Sequence, residues 1–180
     1  MKNTSDYSVR EIVLIATLAC IQYIAFTSFS YILYLEVITM TTVLIAMSFK
    51  ERDVVFASIV FGLVNLVLTS ITPWSLMYLF IYPSYSLIIA KSNSFLKRHF
   101  LILCTLTGLF SFLTGQLLQL PFILFSKNLT VIYLIAGLKV SIPQFIMSFL
   151  LCFLTFKPLS YSLMKIKERY QLWKIYLKFF

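Results

Sequence analysis

The chain has 180 residues, of which 61% are hydrophobic and 12% charged, with a mean hydropathy of +0.94. That excludes a water-soluble domain and points to an all-α integral membrane protein, because the apolar runs are too long and too continuous for alternating barrel strands. The formal net charge of +9 would suit a nucleic acid, but its distribution by loop marks membrane topology instead, and no nucleic-acid partner is expected.

The first helix is expected from about Val9 to Phe26. Arg10 ahead of an apolar run has the polarity of a signal peptide, yet no small-x-small cleavage site closes the run, so it reads as a retained span. Ala16 and Cys20 lie four apart with Ala19 beside them, a spacing that lets another helix approach closely. Packing within the chain's own bundle accounts for the same spacing. A loop rich in Ser, Tyr and Phe, without a basic residue, covers Thr27 to Leu35. A short second helix runs from about Glu36 to Phe49, Lys50 to Asp53 form a charged turn, and a third helix follows from about Val54 to Ile71 with Asn65 inside it.

The fourth helix organises the rest. Thr72-Pro73 supplies an N-cap and a proline at the first helical position, and the helix ends at Lys91. Trp74, Tyr78, Tyr82 and Tyr85 recur at steps of four, four and three, so their rings share one face. An interfacial aromatic belt accounts for Trp74. Tyr82 and Tyr85 lie about 12–17 Å along the helix, too deep for that belt, and their hydroxyls must find partners. An inward-facing aromatic wall is the sharper expectation.

After a basic connection from Ser92 to His99, a fifth helix is expected from Phe100 to about Phe125, with Gly108, Ser111 and Gly115 forming a smooth stripe and Pro121 near its outer end. Lys127-Asn128 form a turn, and a sixth helix runs from about Thr130 to Phe156 with Lys139 and Pro143 inside it. These six spans make one domain, residues 1–157. The tail, 158–180, carries Leu163, Ile166, Tyr170, Trp173 and Leu177 at steps of three and four among basic residues. It reads as a basic amphipathic helix on the membrane lipid surface, or as a contact for a partner's cytoplasmic face. The three cysteines lie in apolar runs without metal spacing and read as small packing residues.

Thirteen of the fifteen basic residues fall in the N-terminal segment, the 2–3 turn, the 4–5 connection counted with Lys91, and the C-terminal segment from Lys157. The positive-inside rule then places both termini of a six-helix bundle in the cytoplasm, in the cell membrane. On that topology Gln119 and Gln116 lie about 9 and 14 Å below the outer end of the fifth helix, and Lys139 about 12–14 Å into the sixth. Gln22, Glu36 and Asn65 belong to the same outer half, and Gln144 is the exception. Polar side chains are costly in lipid and are expected to face the bundle interior. The expectation is a pocket open to the outside and walled by aromatic rings. Lys139 either meets a ligand there, which would carry a carboxylate, phosphate or other acceptor, or it pairs with Glu36 or snorkels outward.

No nucleophile–His–acid set, zinc-protease motif or phosphate-binding loop occurs, so neither an enzyme nor an ATP-driven machine in its own right is expected. A small outward binder without an engine needs an external source of energy. The length and topology, the start SVREIVLIATLACI, and the stretch VFGLVNLVLTSITPWSLMYLFIYP resemble the substrate-binding (S) components of energy-coupling factor (ECF) vitamin transporters. Ala16 matches the first alanine of that family's Ala-x-x-x-Ala docking motif and Cys20 stands at the second. The resemblance implies capture of a vitamin-like small molecule and docking on a transmembrane coupling protein that carries two ATPases, with no cofactor bound by this chain and ATP used by the partners. It implies a docking face at Ala16, Ala19 and Cys20, and ligand contacts from Tyr31, Tyr34, Trp74, Tyr78, Tyr82, Gln116, Gln119 and Lys139. A stand-alone small-solute permease, and a non-transporting membrane subunit or sensor, are the alternatives.

Overall fold

The computed structural model describes residues 8–176 except Ser30 and Leu33, with the backbone alone at 166 and 168–176. The described residues form seven α-helices and one 3-10 turn: α1 (Val9–Ser28), α2 (Val37–Ser48), α3 (Glu51–Thr69), α4 (Pro73–Lys91), α5 (Asn93–Arg98), α6 (Phe100–Leu117), the 3-10 turn (Leu120–Leu124) and α7 (Lys127–Tyr176).

The helix starts follow local chemistry. Ser8 and Glu11 close a capping box on α1. Thr72 caps α4 by accepting the Ser75 N–H at 3.1 Å, with Pro73 at the first position as expected. Helix α3 begins at Glu51 rather than Val54. The charged turn is the helix's own first turn, where Glu51 and Asp53 complement the exposed N–H groups.

The stop signals depart further from expectation. Helix α6 ends at Leu117, and Pro121 opens a separate 3-10 turn instead of kinking a longer helix. Residues 93–98, expected as plain connection, form α5. Helix α7 runs on through Pro158 without a break at Lys157, for 50 residues. Lys167 Nζ, from the stretch expected as a tail, donates to the Ser48 carbonyl at the end of α2 at 2.6 Å. Ile166, Tyr170, Trp173 and Leu177 of the expected stripe, and Lys2, Arg169, Lys174 and Lys178 of the basic count, lie outside the described residues and side chains.

Helix α2 is the central strut. All ten residues from Ile38 to Met47 are buried, as expected only of a helix that is covered all round. It touches α1, α3, α4, α6 and α7. Around it α3 pairs with α1 and α4, and α6 pairs with α7. The α6–α7 contact rests on the small stripe: a Cβ at Gly108 would stand 2.8 Å from the Phe145 carbonyl oxygen, and one at Gly115 would collide with Ser141 Oγ.

Four helical stretches are long and apolar enough to cross a membrane: Val9–Ser28, Glu51–Thr69, Phe100–Leu124 and Lys127–Lys165. Helix α2 has twelve residues, and nineteen-residue α4 is diluted by Pro, Ser and Tyr. The chain is an all-α membrane protein.

Candidate ligand cavity

A cavity of about 280 Å³ opens where α1 ends and α2 begins. Phe26 comes from α1, Tyr34 and Glu36 from the following loop, Tyr78 and Tyr82 from α4, Thr114 and Gly115 from α6, and Gln144 from α7. Val37 and Ile38 of α2 add to the lining, so five helices contribute to one space.

The aromatic wall is continuous. Tyr78 and Tyr82 stack at 5.8 Å, Phe26 meets Tyr78 edge-on at 5.3 Å, and Phe61 meets Tyr82 edge-on at 5.4 Å. Tyr85 stacks on Phe110 at 4.1 Å. Both deep hydroxyls find the partners their depth demands. Tyr82 donates to Glu36 Oε1 at 3.0 Å, and Tyr85 donates to the Phe110 carbonyl at 3.1 Å.

Glu36 is the electrostatic centre of the cavity. Its Oε1 accepts from Thr39 Oγ1 at 2.8 Å as well as from Tyr82, and its Oε2 accepts from Ser111 Oγ. Three helices thus aim hydroxyls at one carboxylate, which also sits at the positive start of α2.

Beneath this site a second polar layer ties four helices together. Gln22 of α1 donates to Thr42 Oγ1 of α2 at 3.1 Å and to Ser58 Oγ of α3 at 3.0 Å, and Ser58 pairs with Ser86 of α4 at 2.7 Å. Gln22 and Asn65 are both buried, as the cost of polar groups in lipid requires.

The sequence-based candidates divide. Tyr34, Tyr78 and Tyr82 line the cavity. Tyr31 sits in the same loop but is 94% exposed. Trp74 lies apart, edge-on to Phe122 at 5.5 Å in a separate apolar recess with Tyr133. Gln116 donates to Ser141 Oγ at 2.8 Å within the α6–α7 contact, and Gln119 packs near Gly137. Lys139 is exposed, and among the described residues it makes no hydrogen bond or ion pair, with Glu36 or otherwise. On α1, Ala16 and Cys20 are exposed and Ala19 is buried.

Glu36, Thr114 and Gln144 were not among the sequence-based ligand contacts. A signal for Glu36 was present: of the six acidic residues it alone lies far from the basic ends of the helices, and Thr39 follows at helical spacing. Comparison with family models, with curated proteins and with solved structures returns no match.

Proposed function

We propose that this chain is the substrate-capture component of an importer of the ECF type, a six-span bundle with both termini in the cytoplasm. It takes a vitamin or related small molecule from outside and delivers it with a separate transmembrane coupling protein and two ATPases. One observation carries the reading: a cavity of about 280 Å³, walled by Phe26, Tyr78 and Tyr82, lies at the end of the bundle away from the basic loops. Its volume is near the small end of the usual range for small-molecule sites, about 300–1,000 Å³. That suits a molecule of one or two rings.

The loop bearing Tyr34 is the natural cover. Tyr34 holds a left-handed backbone, φ 64°, which places its side chain at the cavity wall. The exposed face of α1 with Ala16 and Cys20 supports a docking role for a partner helix, because small side chains permit close approach.

The test is to purify the chain alone in neutral detergent, identify any co-purifying small molecule by mass spectrometry, and titrate a vitamin panel. Measurable binding is expected without partner proteins. Absence of binding across the panel would favour a non-transporting subunit. Ala16→Trp is expected to abolish uptake in cells expressing the coupling module while leaving the purified protein's affinity within about twofold. Equal loss of both would remove the docking role.

A further inference from the structure

We infer that the cavity takes its ligand as an organic cation, with N–H donors directed at Glu36 and a flat ring against Tyr78. This rests on the capture reading above and names the chemistry of its substrate.

The first ground is a count of acceptors. A carboxylate offers about four hydrogen-bond directions. Thr39 and Tyr82 occupy two on Oε1, and Ser111 occupies one on Oε2. One direction on Oε2 has no partner among the described residues, on a side chain that lines the cavity. The second ground is charge. The described hydrogen-bond partners of Glu36 are all hydroxyls, and Lys139, the lysine nearest in the sequence to the cavity-lining part of α7, is exposed on that helix. A carboxylate removed from water is stabilised best by a paired cation. Here the ligand supplies it.

The third ground is independent of Glu36. Gln144 Oε1 is a buried acceptor without a partner among the described residues, and Gln144 lines the same cavity from α7. Of the wall hydroxyls, Tyr82 is engaged on Glu36 and Thr114 on the Phe110 carbonyl at 2.9 Å, while Tyr34 and Tyr78 also bring hydroxyls to the lining. The cavity therefore presents the open direction on Glu36 to whatever enters, beside phenol hydroxyls that can donate or accept. An anionic ligand would meet Glu36 with no described cation to offset the repulsion. A protonated amine, an amidinium or a cationic aminoheterocycle pairs with Glu36 and lies beside Gln144, and Phe26 and Tyr78 add attraction between the cation and the ring faces.

Three probes that share one ring and differ in charge decide the matter: benzamidinium, benzamide and benzoate, each titrated onto the full chain in dodecyl maltoside with ligand-observed NMR. Benzamidinium is expected to bind at least tenfold more tightly than benzamide, and benzoate not at all. Glu36→Gln is expected to bring benzamidinium down to the level of benzamide. Should that variant fail to fold, the order of the three probes on the unaltered protein still decides. Benzamide or benzoate binding as tightly as benzamidinium would overturn the cationic class and leave the capture reading standing. Silence from all three probes, with no vitamin bound either, would remove both.

Discussion

Glu36 and Lys139 are both charged groups placed by sequence in the outer half of the membrane, and they end in opposite surroundings. Glu36 stands at the meeting of α2, α4 and α6 with three hydroxyls donated to it. Lys139 lies on an exposed face of α7, one residue from Val140, which lines the cavity. A helical step of 100° separates a cavity wall from an outer surface. The difference shows that depth alone does not make a buried charge; the helix must also be enclosed. Helix α2 is surrounded by neighbours, whereas α7 is covered mainly on the side facing α6 and α2.

The contrast can be tested from its strongest point outward. Tyr82 is fully buried between Glu36 and the aromatic wall. Tyr82→Ala should cost about 3–5 kcal/mol, read as a fall in the thermal midpoint in detergent, and should abolish ligand capture. Tyr82→Phe keeps the ring and removes one bond to a charged acceptor, so about 1.5–3 kcal/mol is expected. A loss for Tyr82→Phe as large as for Tyr82→Ala would mean the hydroxyl, not the ring, holds the wall together.

Gly115→Ala tests the α6–α7 seam beside the cavity. The added methyl meets Ser141 and stands 3.0 Å from Gln144 Oε1. Overpacking of about 1–3 kcal/mol is expected, with weaker binding because Gln144 is displaced. Unchanged binding would detach Gln144 from the site. The smallest effect belongs to the outer surface. Lys139→Met should change affinity by less than twofold and stability by about 0.5 kcal/mol or less. A tenfold loss of affinity would restore the anion-binding reading of that lysine.

Much of this arrangement was legible in the sequence. The Thr72-Pro73 start, the inward Tyr82 and Tyr85, the buried Gln22 and Asn65, and the close stripe at Gly108 and Gly115 follow from capping, periodicity and the cost of polar groups in lipid. What could not be read was orientation about the helix axis. The later helices are apolar nearly all round, so no polar stripe indicates which way Lys139 or Gln144 turns. Trp74 shares the spacing of Tyr78 and Tyr82 yet leaves the wall: α6 stops at Leu117, and the 3-10 turn that follows sets Phe122 against it. The continuity of α7 past Pro158 was equally hidden, since proline marks a probable boundary and the contact of Lys167 with Ser48 is 119 residues distant in sequence.

The brevity of α2 has a consequence for how a solute arrives. Twelve residues span about 18 Å, against a hydrocarbon layer of about 30 Å. With Ser48 latched near the inner boundary by Lys167, the strut stops well short of the opposite surface on the six-span reading. On that reading Glu36 stands below the membrane surface, at the floor of the cavity under the Tyr34 loop. Under the proposed capture role, a charged solute would then meet the carboxylate from the aqueous side and would not have to dissolve in oil.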